Sequence, residues 1–281
     1  MYEPAQVQSV DGRGAAASGV GEREIGRIGP REWGRARARV CGGVGTRAAE
    51  AAGMDTRGPD DLGYRLWMTT LRWLGRLLLH LGYRLRVEGA EHVPRAGGVL
   101  VVSNHTAFHD WLFVGAALDR PPRFVMHQHH HQYPLLRAFF GASRVIPIAP
   151  KKEDPSRLAE AMDAIERALC AGELVVIFPE GTMSPDGRLS PIRPGFERIV
   201  QKTPVPTLPV AVTGLFGSSF SRAQGAPMSR WSGRLRAPVT VRFGAPLPPD
   251  HVDVPTLARE LSRLGGQSLG DEARAQLVHA A

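Results

Sequence analysis

Gly98-Val99-Leu100-Val101-Val102-Ser103-Asn104-His105-Thr106-Ala107-Phe108-His109-Asp110 passes without a break from an apolar, strand-like run into reactive polar residues. A second stretch has the same form: Leu174-Val175-Val176-Ile177 leads into Phe178-Pro179-Glu180-Gly181-Thr182. In an α/β sheet the carboxyl ends of neighbouring strands open onto one crevice, where ligands bind. Read as two such strands, these stretches bring His105, Asp110 and Glu180 to one sheet edge. That is the pattern of an active site.

Around these runs, strand-like and helix-like segments alternate. Strands fit residues 84–88, 98–103, 123–126, 144–148, 174–178, 207–213 and 238–243; helices fit 108–118, 133–140, 155–171, 193–202 and 255–264. The alternation predicts an α/β fold with a mostly parallel central sheet flanked by helices. Ahead of it, Leu66, Trp67, Leu71, Leu74, Leu77, Leu78 and Leu81 fall on one face of a helix, with Arg65, Arg72, Arg76 and His80 opposite. This N-terminal amphipathic helix fits a membrane interface, and by periodicity alone it fits equally well a helix packed on the domain's own core. Residues 1–60 are rich in Gly, Ala, Arg and Ser without a sustained period, and read as a disordered extension. The expected organisation is that extension, an amphipathic helix over 61–83, a main domain over 84–250 and a helical tail over 251–281.

A chain of 281 residues with 43% hydrophobic content supports one sizeable domain with a buried core. The net charge is +8, and with Lys151, Lys152 and Lys202 the only lysines, arginine supplies most of the positive charge. Residues 1–60 hold nine Arg against eight acids, so the excess sits in the body of the chain. A basic body implies an anionic partner: lipid headgroups, nucleic acid or a phosphorylated substrate. Two cysteines, Cys41 and Cys170, cannot build a disulfide framework, which fits a reducing compartment. No run of about eighteen apolar residues occurs, and no apolar segment follows a basic start, so neither a transmembrane helix nor a signal peptide is expected.

With a helix starting near Thr106, Asp110 lies about one turn from His105, within reach of the imidazole N–H. A carboxylate there fixes the tautomer and leaves the other ring nitrogen as a general base. Asn104 can orient the same site through its amide. An isolated H-x₄-D is more often a surface histidine beside a helix N-terminus, with the Asp merely favourable to the dipole. The second stretch shifts that balance. Gly181 permits close backbone approach, and the amides and the Thr182 hydroxyl suit an anion or oxyanion. Glu180 can fix a basic group or a substrate hydroxyl.

Asn104-His105-x₄-Asp110 and Phe178-Pro179-Glu180-Gly181-Thr182 resemble the first and third blocks of the glycerolipid (lysophospholipid) O-acyltransferase family. Arg86-Val87-Glu88-Gly89 through Val93-Pro94 resembles its lead-in strand, and Val205-Pro206-Thr207-Leu208-Pro209-Val210-Ala211 its fourth block. The resemblance implies that His105, oriented by Asp110, deprotonates a lipid hydroxyl that attacks the thioester of an acyl-CoA or acyl-carrier protein. It implies no metal and no other cofactor. It assigns Glu180, Gly181 and Thr182 to the acceptor's glycerol-phosphate part, and Arg193 suits its phosphate.

In many phosphatidic-acid-forming members an arginine closes the second block, where this chain has Pro150 at the end of Arg144-Val145-Ile146-Pro147-Ile148-Ala149-Pro150. Arg144, Lys151 and Lys152 stand nearby as substitutes. That run, with Gly214-Leu215-Phe216-Gly217-Ser218-Ser219-Phe220-Ser221-Arg222, is more similar to the acyltransferase portion of 2-acylglycerophosphoethanolamine acyltransferases. The expected acceptor is therefore a lysophospholipid, with lysophosphatidate second, met on the cytoplasmic face of an anionic membrane surface by a peripheral enzyme. His127-Gln128-His129-His130-His131 invites a metal, but three of its histidines are consecutive and no Cys or framed carboxylate accompanies them, so none is expected. His109 is a rival base without an acid at a helpful spacing. Two other classes fit less of the sequence: a transacylase or an acyltransferase for a non-phosphorylated acceptor, and a non-enzymatic basic module on membrane or nucleic acid. The latter leaves both motifs unexplained, so no nucleic-acid partner is expected.

Overall fold

A computed structural model describes residues 62–132, 134–223, 225–229 and 236–279. The extension expected over 1–60 lies outside them. The elements in chain order are α1 (Leu62–Gly82), β1 (Tyr83–Glu88), β2 (Val99–Ser103), α2 (Asp110–Ala117), β3 (Pro122–His127), α3 (Pro134–Ala142), β4 (Ile146–Ile148), α4 (Pro155–Cys170), β5 (Leu174–Ile177), α5 (Gly195–Lys202), β6 (Thr207–Thr213), β7 (Ala237–Phe243), α6 (Val254–Gly265) and α7 (Asp271–His279). Short 3-10 turns at Ala90–His92 and Gln128–Gln132 complete the list among the described residues.

The strands form one seven-stranded sheet in the order β1-β7-β6-β2-β5-β3-β4. Every pairing is parallel except β6 with β7. β2 and β5 are buried at every position, which is what a strand covered on both faces requires. Leu100, Val102, Val175 and Ile177 pack on one face with Ile165 of α4, Phe196 of α5 and Leu257 and Leu261 of α6. Val99, Val101, Leu174 and Val176 pack on the other with Phe113 and Val114 of α2 and Leu79 of α1. Each such side chain contributes on the order of 1.5–3 kcal/mol by leaving water. Because α6 supplies core residues, the segment after 250 is part of the same body.

Helix boundaries follow local chemistry. Asp154 caps α4 by accepting from Arg157 N, and Asp253 caps α6 by accepting from Thr256 N, each with a proline in the first turn.

Of the two readings of the amphipathic helix, packing of its leucine face on the domain's own core is not what the structure shows. Met68, Gly75 and Leu79 are its buried residues, and a Cβ on Gly75 would stand 3.2 Å from Leu112 Cδ1, so the glycine lets α1 approach α2 closely. Arg76 Nε donates to the Ala116 carbonyl at 2.7 Å and Arg72 to the Asp119 carbonyl. Arg76 thus satisfies a carbonyl in the last turn of α2 and Arg72 one just beyond it, where positive charge is favoured. Leu66, Trp73, Leu74, Leu77, Leu78 and Leu81 remain exposed.

Candidate active site

β2 and β5 run side by side in parallel, with Val102 beside Ile177, so the segments after them leave the same sheet edge together. Asn104 extends the sheet with its side chain: Oδ1 accepts from Val212 N at 2.7 Å and Nδ2 donates to Val212 O at 3.0 Å. A further Nδ2 bond, 2.9 Å, reaches Gln267 Oε1. The expected substrate contact of Asn104 is thus replaced by a bracing role, since the buried carboxamide is used within the fold.

His105 follows at the rim. Its Nδ1 stands 2.9 Å from Asp110 Oδ2, and the same oxygen accepts from Thr106 N at 2.6 Å and Ala107 N at 2.9 Å. Asp110 is the first residue of α2 and fully buried, whereas the His105 side chain is 20% exposed. With Nδ1–H donating to Asp110, the neutral ring presents its Nε2 lone pair. Phe178 stacks on the imidazole, 4.6 Å between centroids and 29° between planes. The backbone is clamped as well: His105 N donates to Glu180 Oε1 at 2.6 Å, and the His105 carbonyl accepts from Ser184 N at 2.8 Å.

Glu180 is only 3% exposed, and its second oxygen accepts from Ser190 N at 2.9 Å. Both oxygens are therefore committed to backbone, and the expected contact of Glu180 with an acceptor becomes a bracket between the two motifs. Burial pushes its carboxyl up to about 7, against the opposing pull of the Ser190 and His105 amides. A folded-state value above the unfolded one means that the group's favourable contribution is full below the ordinary carboxylate range and is lost as pH rises through about 7. Glu180→Gln does not titrate there. The stability difference between wild type and Glu180→Gln is expected to shift by about 2 kcal/mol against the wild type from pH 5 to pH 8, read by urea unfolding. A pH-independent difference would contradict this assignment.

Gly181 and Thr182 are exposed beside the clamp. Gly181 has φ 71°, and a Cβ there would stand 2.7 Å from Arg193 Cζ, so the missing side chain lets the guanidinium lie over the turn. The Thr182 amide and hydroxyl have no acceptor among the described residues. The Arg193 guanidinium lies over the Gly181 turn, whose Glu180 is bonded to the His105 backbone, and with the Thr182 hydroxyl it supplies donors suited to an anion.

Arg144 is not brought to this site. It precedes β4, and its Nη2 donates at 3.1 Å to Glu173 Oε1 just ahead of β5, so it sits at the amino edge of the parallel sheet. It is buried in a charged cluster with Glu173 and Arg123, over the Tyr64 ring. Lys151 and Lys152 follow β4 and do lie at the carboxyl edge. His127 Nε2 contacts Glu153 Oε2 at 3.1 Å, and the His130 ring lies 5.7 Å from that of Phe108. His109 is enclosed by the rings of Tyr83, Phe113 and Phe220, with Nε2 2.9 Å from the Tyr83 hydroxyl. Burial lowers it to about 4, so it stays neutral and enclosed while His105 reaches the opening.

Sequence reasoning missed Ser184, Ser190, Tyr83 and Gln267. Ser184-Pro185-Asp186-Gly187 carries a readable turn signature, and Ser184 Oγ accepts from Gly187 N at 3.0 Å. Nothing in the sequence singled out the others.

A family model described as Acyltransferase matches residues 84–213, the stretch that holds His105, Asp110, Glu180 and Arg193. Over that stretch the chain is similar to the acyltransferase family. A chloroplastic 1-acyl-sn-glycerol-3-phosphate acyltransferase of Brassica napus is 30% identical to it over 133 residues, covering 47% of the chain and 38% of the relative. A lyso-ornithine lipid O-acyltransferase of Rhizobium meliloti is 29% identical over 186 residues, covering 62% of the chain and 60% of the relative. The chain therefore spans less than two thirds of the length of these relatives. The crystal structure of the 1-acyl-sn-glycerophosphate acyltransferase PlsC of Thermotoga maritima shares the fold, with a TM-score of 0.56 and 21% identity over 71% of this chain and 79% of that one. The matched stretch thus contains the whole His–Asp pair and its bracket, while Gln267 lies outside it.

Proposed function

We propose that the protein transfers a fatty acyl group from an acyl thioester, acyl-CoA or acyl-carrier protein, to a hydroxyl of a lysophospholipid, with lysophosphatidate as the next acceptor. The observation that carries this reading is the His105–Asp110 pair, its Nε2 free, beside the donor turn of Thr182 and Arg193. Nε2 takes the proton from the acceptor hydroxyl as its oxygen attacks the thioester carbonyl. The tetrahedral oxyanion then collapses, expelling a thiolate that recovers the proton from the imidazolium. Asp110 supports that cation, and no resident metal or other cofactor takes part. Thr182 and Arg193 hold the acceptor's phosphate. The test is a panel of lysophospholipids, lysophosphatidate and a non-phosphorylated lysolipid with both donor types, read by lipid mass spectrometry. Ester products absent from every combination would overturn the reading. A non-phosphorylated acceptor is the second reading, favoured by the likeness to the lyso-ornithine lipid enzyme.

The exposed face of α1 supports a peripheral seat on the cytoplasmic face of an anionic membrane, the side that acyl thioesters reach. Among the described residues no helix is long and apolar enough to cross a membrane. Trp73 is 66% exposed and Leu74 51%, with Leu74 on the face opposite the arginines that grip α2 and Trp73 at its margin. Replacing Trp73, Leu74 and Leu78 together by Ser is expected to weaken vesicle binding by at least about a hundredfold, since each loses on the order of 1–3 kcal/mol of insertion. Cosedimentation with anionic vesicles measures this; unchanged binding would remove α1 from the contact.

A further inference from the structure

The loop after Thr182 is held by more than the matched domain. Gln267 sits in the turn between α6 and α7, beyond residue 213, where the family match ends. Its Oε1 accepts from Asn104 Nδ2 at 2.9 Å, and its Nε2 donates to the Gly187 carbonyl at 2.8 Å. Gly187 N donates to Ser184 Oγ at 3.0 Å, and Ser184 N donates to the His105 carbonyl at 2.8 Å. Since Asn104 and His105 are consecutive, these bonds close a ring that starts and ends at the histidine. Gln267 is itself fixed: Gly266 turns the chain back from α6 at φ 58°, and Ser262 Oγ donates to the Gln267 carbonyl at 2.6 Å. The same segment continues along the loop. Leu189 N donates to Ser268 O at 3.2 Å, Gly270 N to Leu189 O at 3.0 Å, and the Gln276 carboxamide pairs with the amide and carbonyl of Ile192 at 3.1 and 2.7 Å.

We infer that Gln267 is a positioning residue for His105, and that the segment after α6 is a working part of the active site. The inference rests on the acyl-transfer reading above. The backbone of His105 is set from two directions, by the Asn104 side chain tied to β6 and by the Ser184 turn. Gln267 joins the two through a part-buried carboxamide that satisfies one donor and one acceptor at once. Without it, Asn104 keeps its pairing with Val212 and Ser184 its bond to the His105 carbonyl, but the side-chain bridge that joins Asn104 to the Gly187 end of the loop is lost. Nε2 then shifts relative to the Thr182–Arg193 donors, and displacements of about 1 Å at a distance from the chemistry can cost up to about a hundredfold in rate.

The test uses the full chain and three variants. Gln267→Ala opens the ring; Gln267→Glu keeps an acceptor for Asn104 but cannot donate to Gly187; Gln276→Ala loosens the same tail outside the ring. The expected result is a kcat roughly tenfold lower for Gln267→Ala with acceptor KM within about twofold, an intermediate kcat for Gln267→Glu, and near-wild-type kcat for Gln276→Ala despite a lower Tm. Amide hydrogen exchange supplies a readout independent of turnover: Ser184 and Gly187 should lose protection in Gln267→Ala while the amides of β2 and β5 keep theirs. Unchanged Ser184 protection, kcat within twofold of wild type, or an equal fall in kcat for Gln276→Ala would each overturn the positioning role. Should the wild type transfer no acyl group, the acyl-transfer reading falls, and exchange at Ser184 still decides whether the ring holds the loop.

Discussion

His105→Ala is expected to lower acyl transfer by roughly 10²–10⁴-fold, the range associated with losing a positioned general base. The fold should survive the change. The imidazole touches Asp110 and the Phe178 ring, and Asp110 Oδ2 keeps two backbone donors, from Thr106 and Ala107, after the ring is gone. The buried carboxylate is therefore not orphaned. His109 cannot take over, because burial lowers it to about 4 and its Nε2 already faces the Tyr83 hydroxyl. Product formation from the preferred acceptor, with circular dichroism and Tm as folding controls, measures the effect. A variant that keeps more than about a tenth of wild-type turnover would exclude His105 as the base.

Asp110→Asn is expected to lower kcat by on the order of 10²-fold or more while leaving Tm within a few degrees. Three N–H groups converge on Oδ2, so an asparagine can turn only its oxygen towards them; an amide nitrogen there would oppose three donors. The shape and tautomer are thereby kept, and what is lost is the negative charge beside the imidazolium that forms as the hydroxyl is deprotonated. Asp110→Ala is the poorer probe, because it leaves buried backbone donors without an acceptor at about 1–3 kcal/mol each. The measurement is kcat at saturating acceptor and donor. A kcat within threefold of wild type for Asp110→Asn would mean that the carboxylate serves only to hold the Thr106–Ala107 backbone ahead of α2.

The sheet was legible because its central strands are covered on both faces, and continuous runs such as Val99–Val102 and Leu174–Ile177 admit few other readings. The His105–Asp110 contact was legible because it is local: one turn of backbone brings the two together whatever the rest of the chain does. Roles that depend on distant partners were not. Glu180 and Asn104 look alike in sequence whether they meet a ligand or a backbone amide, and the partners that decide, Ser190 and Val212, lie far along the chain. Periodicity left the α1 leucines facing either lipid or core, since the carbonyls at and just after the end of α2 that draw in Arg76 and Arg72 leave no mark on it. Arg144 could have been placed correctly. A residue just before a parallel strand belongs to the amino edge, away from the crevice.

The eight-residue helix α2 carries Asp110 at one end, and its other end is gripped by α1. At 1.5 Å per residue it is a strut of about 12 Å. On the proposed membrane seat, one end of that strut is fixed to the helix that rests in the lipid and the other to the carboxylate that aims the base. The height at which the reaction occurs above the acyl chains is then a property of helix length. Adding or deleting one turn of α2 would move the chemistry out of register with lipid hydroxyls without altering any catalytic group.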